Sequence, residues 1–355
     1  MLLLCAYFLL ADAPGFSADL PIKHVIVYKE AGRFCGWPAN YGTWSWGNEI
    51  LVGFRFAYHQ EKDRGHSYNK DMPVEVVMSR SLDGGESWKL ERPTGVHPKK
   101  KSTECPGGID FANPDFALRC RSGSFTVSND RGRSWSDPYR LPDFGQQNIM
   151  ARTDYIVNGK DDCLIFLTAS KTNGNEGRPF CARTTDGGKT IEFVSWIAPE
   201  PEGFSIMPAT VRVAKDHLIS AIRRKEQGVG FIEVYVSKDD GKSWQLLSKP
   251  AGTGKRNGNP ADMVRLEDGR IVVTYGYRSV PQGIRAVISK DDGKTWSKEI
   301  HLRDDGRTWD LGYPQTVLRP DGKLVTVYYY TTEKDKEQHI AATIWDPDGV
   351  RKGKE

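Results

Sequence analysis

The chain has 355 residues, with 50 Lys and Arg against 46 Asp and Glu, for a net charge of +4. That balance excludes the strong basic stripe that nucleic-acid binding requires. With 11% aromatic residues, the chain carries the apolar surface that a disordered protein lacks. Its 36 Gly and 10 Trp fit many short strands joined by tight turns.

In chain order, the first feature is the apolar run 2–10, Leu-Leu-Leu-Cys-Ala-Tyr-Phe-Leu-Leu, too short to span a bilayer. Small residues follow at Ala11-Asp12-Ala13 and Phe16-Ser17-Ala18. The pattern reads as a signal peptide over 1–18, although no Lys or Arg precedes it. The mature chain, 19–355, is then expected to be secreted or periplasmic, with no membrane span. It retains Cys35, Cys105, Cys120, Cys163 and Cys181, an odd number that leaves at least one free thiol. Cys163 and Cys181 fall on expected neighbouring strands and are open to pairing. No CxxC or Cys/His cluster occurs, so neither a zinc site nor another cofactor is expected.

A short motif then recurs five times. It reads Ser81-Leu82-Asp83-Gly84-Gly85-Glu86-Ser87-Trp88 and returns around Asp130, Asp186, Asp239 and Asp291. The aspartates at 83, 130, 186, 239 and 291 lie 47, 56, 53 and 52 residues apart. In such a turn Asp bonds the backbone of its own loop, Gly supplies positive φ and Ser or Thr adds a local bond. Trp packs a large apolar face beneath. A period near 50 residues with several strands per unit indicates a propeller or an array. Each unit repeats one order: strand, turn, strand, strand, motif, strand. Second strands are expected at 50–56, 163–169, 218–223, 271–277 and 324–330, with the unit at 113–135 shorter. This gives six units, and Lys23–Tyr28 is placed to complete the last one and close the ring.

The five S-x-D-x-G-x-[ST]-W motifs resemble the Asp-box repeats of the sialidase superfamily, over nearly the whole mature chain. The resemblance implies an all-β, six-bladed β-propeller of four-stranded antiparallel blades in one domain. It also implies that the boxes are structural and face away from the active site. Strand alternation puts the site on the opposite rim, at the starts of first strands and the ends of second strands. The starts are expected at Trp37-Pro38, Asn113-Pro114, Arg152-Thr153-Asp154, Met207-Pro208, Asn259-Pro260 and Tyr313-Pro314; second-strand ends include Arg55, Lys171, Arg223 and Arg278. Guanidinium groups around one mouth suit a carboxylate or sulfate, through bidentate charge-assisted bonds.

What the resemblance implies for chemistry is an exo-glycosidase that releases a terminal acidic sugar, with sialic acid favoured. By position, Tyr313 matches the nucleophile and Asp71, with Asp63 as runner-up, the acid/base. Arg223 and Arg278, or Arg285, match carboxylate-binding arginines, with Arg55 and Arg152 beside them and Trp37 as a stacking platform. Two positions depart from the family pattern. Gly36 stands where an Arg is usual, so Arg33 or Arg55 must substitute. Met207 stands where the Glu assisting Tyr is expected, which leaves Glu202 or, from the third unit, Glu176. His59 and His66 share the loop with Asp71, and a His base there suits an enzyme other than a sialidase. The readings that stay open are a hydrolase or lyase of another acidic (uronic) sugar and a non-catalytic glycan-binding propeller. The expected partner is a glycan or acidic oligosaccharide substrate, and the chain is expected to be a monomer.

Overall fold

Within each repeat the fold starts from the local chemistry of the box. Ser237 Oγ donates to Asp239 Oδ1 and accepts from the Gly241 N–H, each at 2.8 Å, while Asp239 accepts from Ser243 N–H and its hydroxyl. Trp244 Nε1 donates to Gly241 O at 3.1 Å. The Ser/Thr and Asp bonds recur around Asp83, Asp130, Asp186 and Asp291, and Trp88 repeats the indole bond on Gly85 O. Gly241 is required because its φ is +86° and an added Cβ would sit 3.2 Å from Cys181 Sγ. The hydroxyl and N–H of Thr295 hold the Asp291 carboxyl down at about 2. Asp239→Ala removes three of these acceptor contacts and should destabilise the protein by about 2 kcal/mol. Urea unfolding checks this; an unchanged midpoint would contradict a structural role for the box.

The computed structural model describes residues 22–96 and 100–349; the expected signal peptide lies outside them. Six antiparallel sheets make a six-bladed propeller with almost no helix. The second strands form at Glu49–Tyr58, Cys163–Ser170, His217–Glu226, Ile271–Tyr277 and Leu324–Tyr330. In the last blade, Lys23–Tyr28 pairs with His339–Trp345 outside Leu324–Tyr330 and Gly312–Leu318. The first described strand thus completes the final sheet, so no edge is left open at the seam.

Two expectations are corrected. The second sheet has three strands, Ala117–Arg121, Ser124–Ser128 and Tyr139–Arg140, and no regular inner strand begins at Asn113-Pro114. Those residues form a turn beside the box, where Arg131 Nε and N–H bind Asp115 at 2.6 and 2.9 Å. They stand on the rim away from the site. Cys163 and Cys181 lie on adjacent strands, but Cys163 faces Thr184 and Cys181 faces Phe166. Three residues of offset send the side chains to opposite faces of the sheet, and all five described thiols are buried and free.

At the mouth, three first strands share one device. Trp37, Met207 and Tyr313, each directly before a proline, have φ of 58°, 56° and 51°. The ladder slips beside Met207 and Tyr313, between Ile206 and Ala209 and between Gly312 and Gln315. A bulge of this kind re-aims one side chain out of the pleat. Here it turns Met207 and Tyr313 toward the central axis.

Candidate active site

Tyr313 is fixed by its backbone. Asn259, fully buried, donates Nδ2–H to Leu311 O at 2.7 Å and accepts the Tyr313 N–H at 2.8 Å. Gly276 and Gly312 leave room for that amide; a Cβ on either would approach it to 2.7 Å or less. The phenol stands free of this clamp. Its Oη accepts a hydrogen bond from Arg223 Nη1 at 3.1 Å.

Tyr313 and Arg223 line a pocket of about 390 Å³ at the mouth, with Arg55, Arg121, Arg152, Glu176 and Met207 among its walls. That volume suits a sugar-sized ligand. Among the described residues no carboxylate pairs with Arg55, Arg121 or Arg223. Arg223 is 5% exposed, and its other donors reach Asn257 O and Gly258 O at 3.0–3.2 Å. Arg55 bonds the hydroxyls of Tyr41 and Tyr68 at 3.1 and 3.3 Å. It is the cross-strand partner of Gly36, so it fills the space the missing arginine leaves. Arg33 instead stacks on Phe56 and Tyr58. A buried cation held only by neutral acceptors keeps capacity for an anion.

Arg152 is different. It bonds Asp262 Oδ1 at 2.7 Å and Ala261 O at 2.5 Å, making the floor of the pocket across the axis. Below it lies a second chamber lined by Asp154, Asp262, Gln315 and Thr316. Burial pushes the Asp154 carboxyl up to about 7 despite Arg152 and Thr210. Asp154 therefore binds its proton more tightly folded than unfolded, and it removes stability as pH rises from about 4 to about 7. Asp154→Asn should raise Tm at pH 8 and change it little at pH 4; an equal shift at both would contradict the assignment.

Several expected residues stand elsewhere. Arg278 is buried behind Tyr313, its guanidinium 5.7 Å from that ring and bonded to Gly258 O, Leu311 O and Tyr329 Oη. Arg285 is taken by Glu299. Glu202 is exposed, and its carbonyl accepts from Lys171 Nζ; Glu176 is the carboxylate that lines the pocket. Trp37, 6% exposed, is packed against Phe34, His66 and Tyr68 and offers no open face for a sugar. Asp71 is exposed on its loop, its N–H bonded to Asn69 Oδ1, and does not line the pocket. Arg121 was missed because the short second unit obscured its strand end; the rule that selected Arg55 and Arg223 selects it too.

Residues 112–326 match the family model of the BNR repeat-like domain. The chain belongs to this family. The BNR repeat-like chain is similar to a solved protein of unknown function from Dyadobacter fermentans, with 23% identity, 92% of this chain and 99% of that one covered, and a TM-score of 0.72. It is also similar to the NanB sialidase of Streptococcus pneumoniae, with 12% identity, 92% and 71% covered and a TM-score of 0.59. The α-L-arabinofuranosidase Arb93A of Fusarium graminearum gives 15% identity, 90% and 98% covered and a TM-score of 0.56. At these identities the likeness is one of fold. No curated protein matches the chain. Among the described residues no helix is long and apolar enough to cross a membrane, and no group of His, Cys, Asp and Glu is arranged to hold a metal ion.

Proposed function

We propose that this BNR repeat-like propeller is a glycoside hydrolase that releases a terminal acidic sugar. The observation that carries the reading is Tyr313 Oη under the guanidinium of Arg223, in a pocket whose Arg55, Arg121 and Arg223 have no carboxylate partner among the described residues. The arginines take the sugar carboxylate. Tyr313 attacks the anomeric carbon, passing its proton to Glu176, and Arg223 stabilises charge that develops on the phenolic oxygen. A neutral tyrosine avoids the repulsion that a carboxylate nucleophile would meet with an anionic substrate, and it is a known departure from the two-carboxylate scheme. Sialic acid is the favoured substrate by resemblance, and the protein is read as secreted or periplasmic.

A second reading, a lyase of uronic sugars, draws on Met207. Its Sδ lies 3.7 Å from Arg223 Nη1, where the family resemblance places a glutamate, and among the described residues Glu176 is the one carboxylate in the wall. A released-sugar screen with sialosides and uronides tests both. A saturated free sugar supports the hydrolase, an unsaturated ultraviolet-absorbing product supports the lyase, and binding without any product would sink both.

A further inference from the structure

Glu176, the only carboxylate among the described residues that line the pocket, is assigned to Tyr313, so the leaving oxygen needs a donor from outside that lining. The loop carrying Asp71 holds another candidate. Residues 59–68 fold as a hairpin extension of the first blade, with Gln60 N–H on Ser67 O at 3.1 Å. This hairpin is pinned to the sixth blade by Asp310, whose Oδ1 lies 2.5 Å from His66 Nδ1 and whose Oδ2 accepts the Ser67 N–H at 3.1 Å.

Asp310 is 2% exposed and also accepts from Tyr329 Oη at 2.7 Å and Gln338 Nε2 at 3.2 Å. Burial opposes its charge, but the bonds from His66 and Tyr329 and the charge of Arg278 outweigh it and keep the carboxyl below its usual range. Facing an ionised acceptor, Nδ1 carries a hydrogen, and Nε2 points away from Asp310. Nε2 bonds no described residue and is not among the buried unpaired atoms. The ring meets Trp37 edge-on at 4.7 Å and Trp309 at a tilt at 5.6 Å. A carboxylate fixing one ring nitrogen while the other stays open is the arrangement of an oriented acid/base, not of a packing histidine.

The position suits that task. Trp37 carries Arg55 of the pocket wall 4.8 Å above its ring. Tyr329, which bonds Asp310, packs 5.9 Å from Tyr313. On the outer side, half-buried Trp309 has Arg256 and Arg278 5.4 and 5.3 Å from its ring. His66 does not line the pocket itself; Trp37 joins it to Arg55 of the wall, and Trp309 joins it to an aromatic, cationic ledge.

Building on the reading of Tyr313 as nucleophile, we propose that His66, oriented by Asp310, is the acid/base residue at the leaving group, with Trp309 flanking that group. In the first half, Tyr313 Oη bonds the anomeric carbon and its proton goes to Glu176. The glycosidic C–O bond breaks, and the leaving oxygen takes the Nε2 proton of a His66 ring that starts with both nitrogens protonated, Nδ1–H staying on Asp310. In the second half, Nε2 removes a proton from water, whose oxygen attacks the anomeric carbon. The Tyr313–carbon bond breaks, and Glu176 returns its proton to the phenol. Asp310 acts as a positioning residue through His66.

The test compares the 4-nitrophenyl and methyl glycosides of N-acetylneuraminic, glucuronic and galacturonic acids. A nitrophenolate leaves with little help, whereas methoxide needs a proton. His66→Ala and His66→Gln should lower kcat/KM on both, by about 10²-fold or more on the methyl glycoside and at least about tenfold less on the nitrophenyl glycoside. Asp310→Asn should give the same leaving-group dependence at smaller size, in kcat rather than KM. Equal losses on both glycosides, or wild-type rates in the His66 variants, overturn the role of His66 while leaving that of Tyr313 standing. No cleavage of any glycoside by the wild-type protein overturns both.

Discussion

Tyr313→Phe is expected to lower kcat on an acidic glycoside by about 10³-fold or more while leaving the fold unchanged. The expectation follows from how the residue is held. Its backbone is fixed by Asn259 through main-chain atoms, and its ring packs 5.9 Å from Tyr329. Phe keeps both and loses the hydroxyl bonded by Arg223. Substrate affinity should survive, because the arginines that hold the carboxylate are untouched. A variant with wild-type kcat would remove the phenol from the chemistry; one with a lowered Tm would show that the loss came from the fold.

The second large effect is expected at Arg223. Arg223→Met should lower kcat/KM by roughly 10²-fold, the equivalent of about 3 kcal/mol for one charge-assisted contact. The loss should fall on kcat and on KM together, since Arg223 faces both the substrate space and Tyr313 Oη. Arg55→Met and Arg121→Met, which do not touch the phenol, should mainly raise KM. A neutral sugar with the same leaving group provides the control. If Arg223→Met slowed neutral and acidic substrates alike, the arginine would serve the tyrosine alone and would take no part in holding the carboxylate.

The repeat was legible because the box is local chemistry. Asp239, Gly241, Ser243 and Trp244 make their bonds within one turn, so eight consecutive residues specify the structure, and five copies set the blade spacing. Strand Lys23–Tyr28 was legible as the closing strand for the same reason: five box-bearing units and a remnant leave one sheet incomplete. The second blade was not, because without a regular inner strand its Asn113-Pro114 turn imitates the Pro-marked strand starts of other units. At the site, Tyr313 and Arg223 were legible as ends of repeated strands. Arg278 occupies an equivalent end, but Gly258 O and Leu311 O capture its guanidinium behind Tyr313. That depends on contacts 20 and 33 residues away in sequence, which strand periodicity does not encode. The loop 57–73 shows the same limit. Which residue of that loop is pinned to the sixth blade is decided by Asp310, 244 residues from His66.

The central claim, that Tyr313 forms a bond to an acidic sugar held by the arginines of this mouth, is tested most directly by trapping the intermediate. The protein is incubated with fluorinated glycosyl fluorides of sialic and uronic acids, then digested and analysed by mass spectrometry. The account predicts one added sugar, located on Tyr313, absent from Tyr313→Phe and diminished in Arg223→Met. A sugar attached to another residue, or an unmodified Tyr313 in a protein that turns these sugars over, would contradict it.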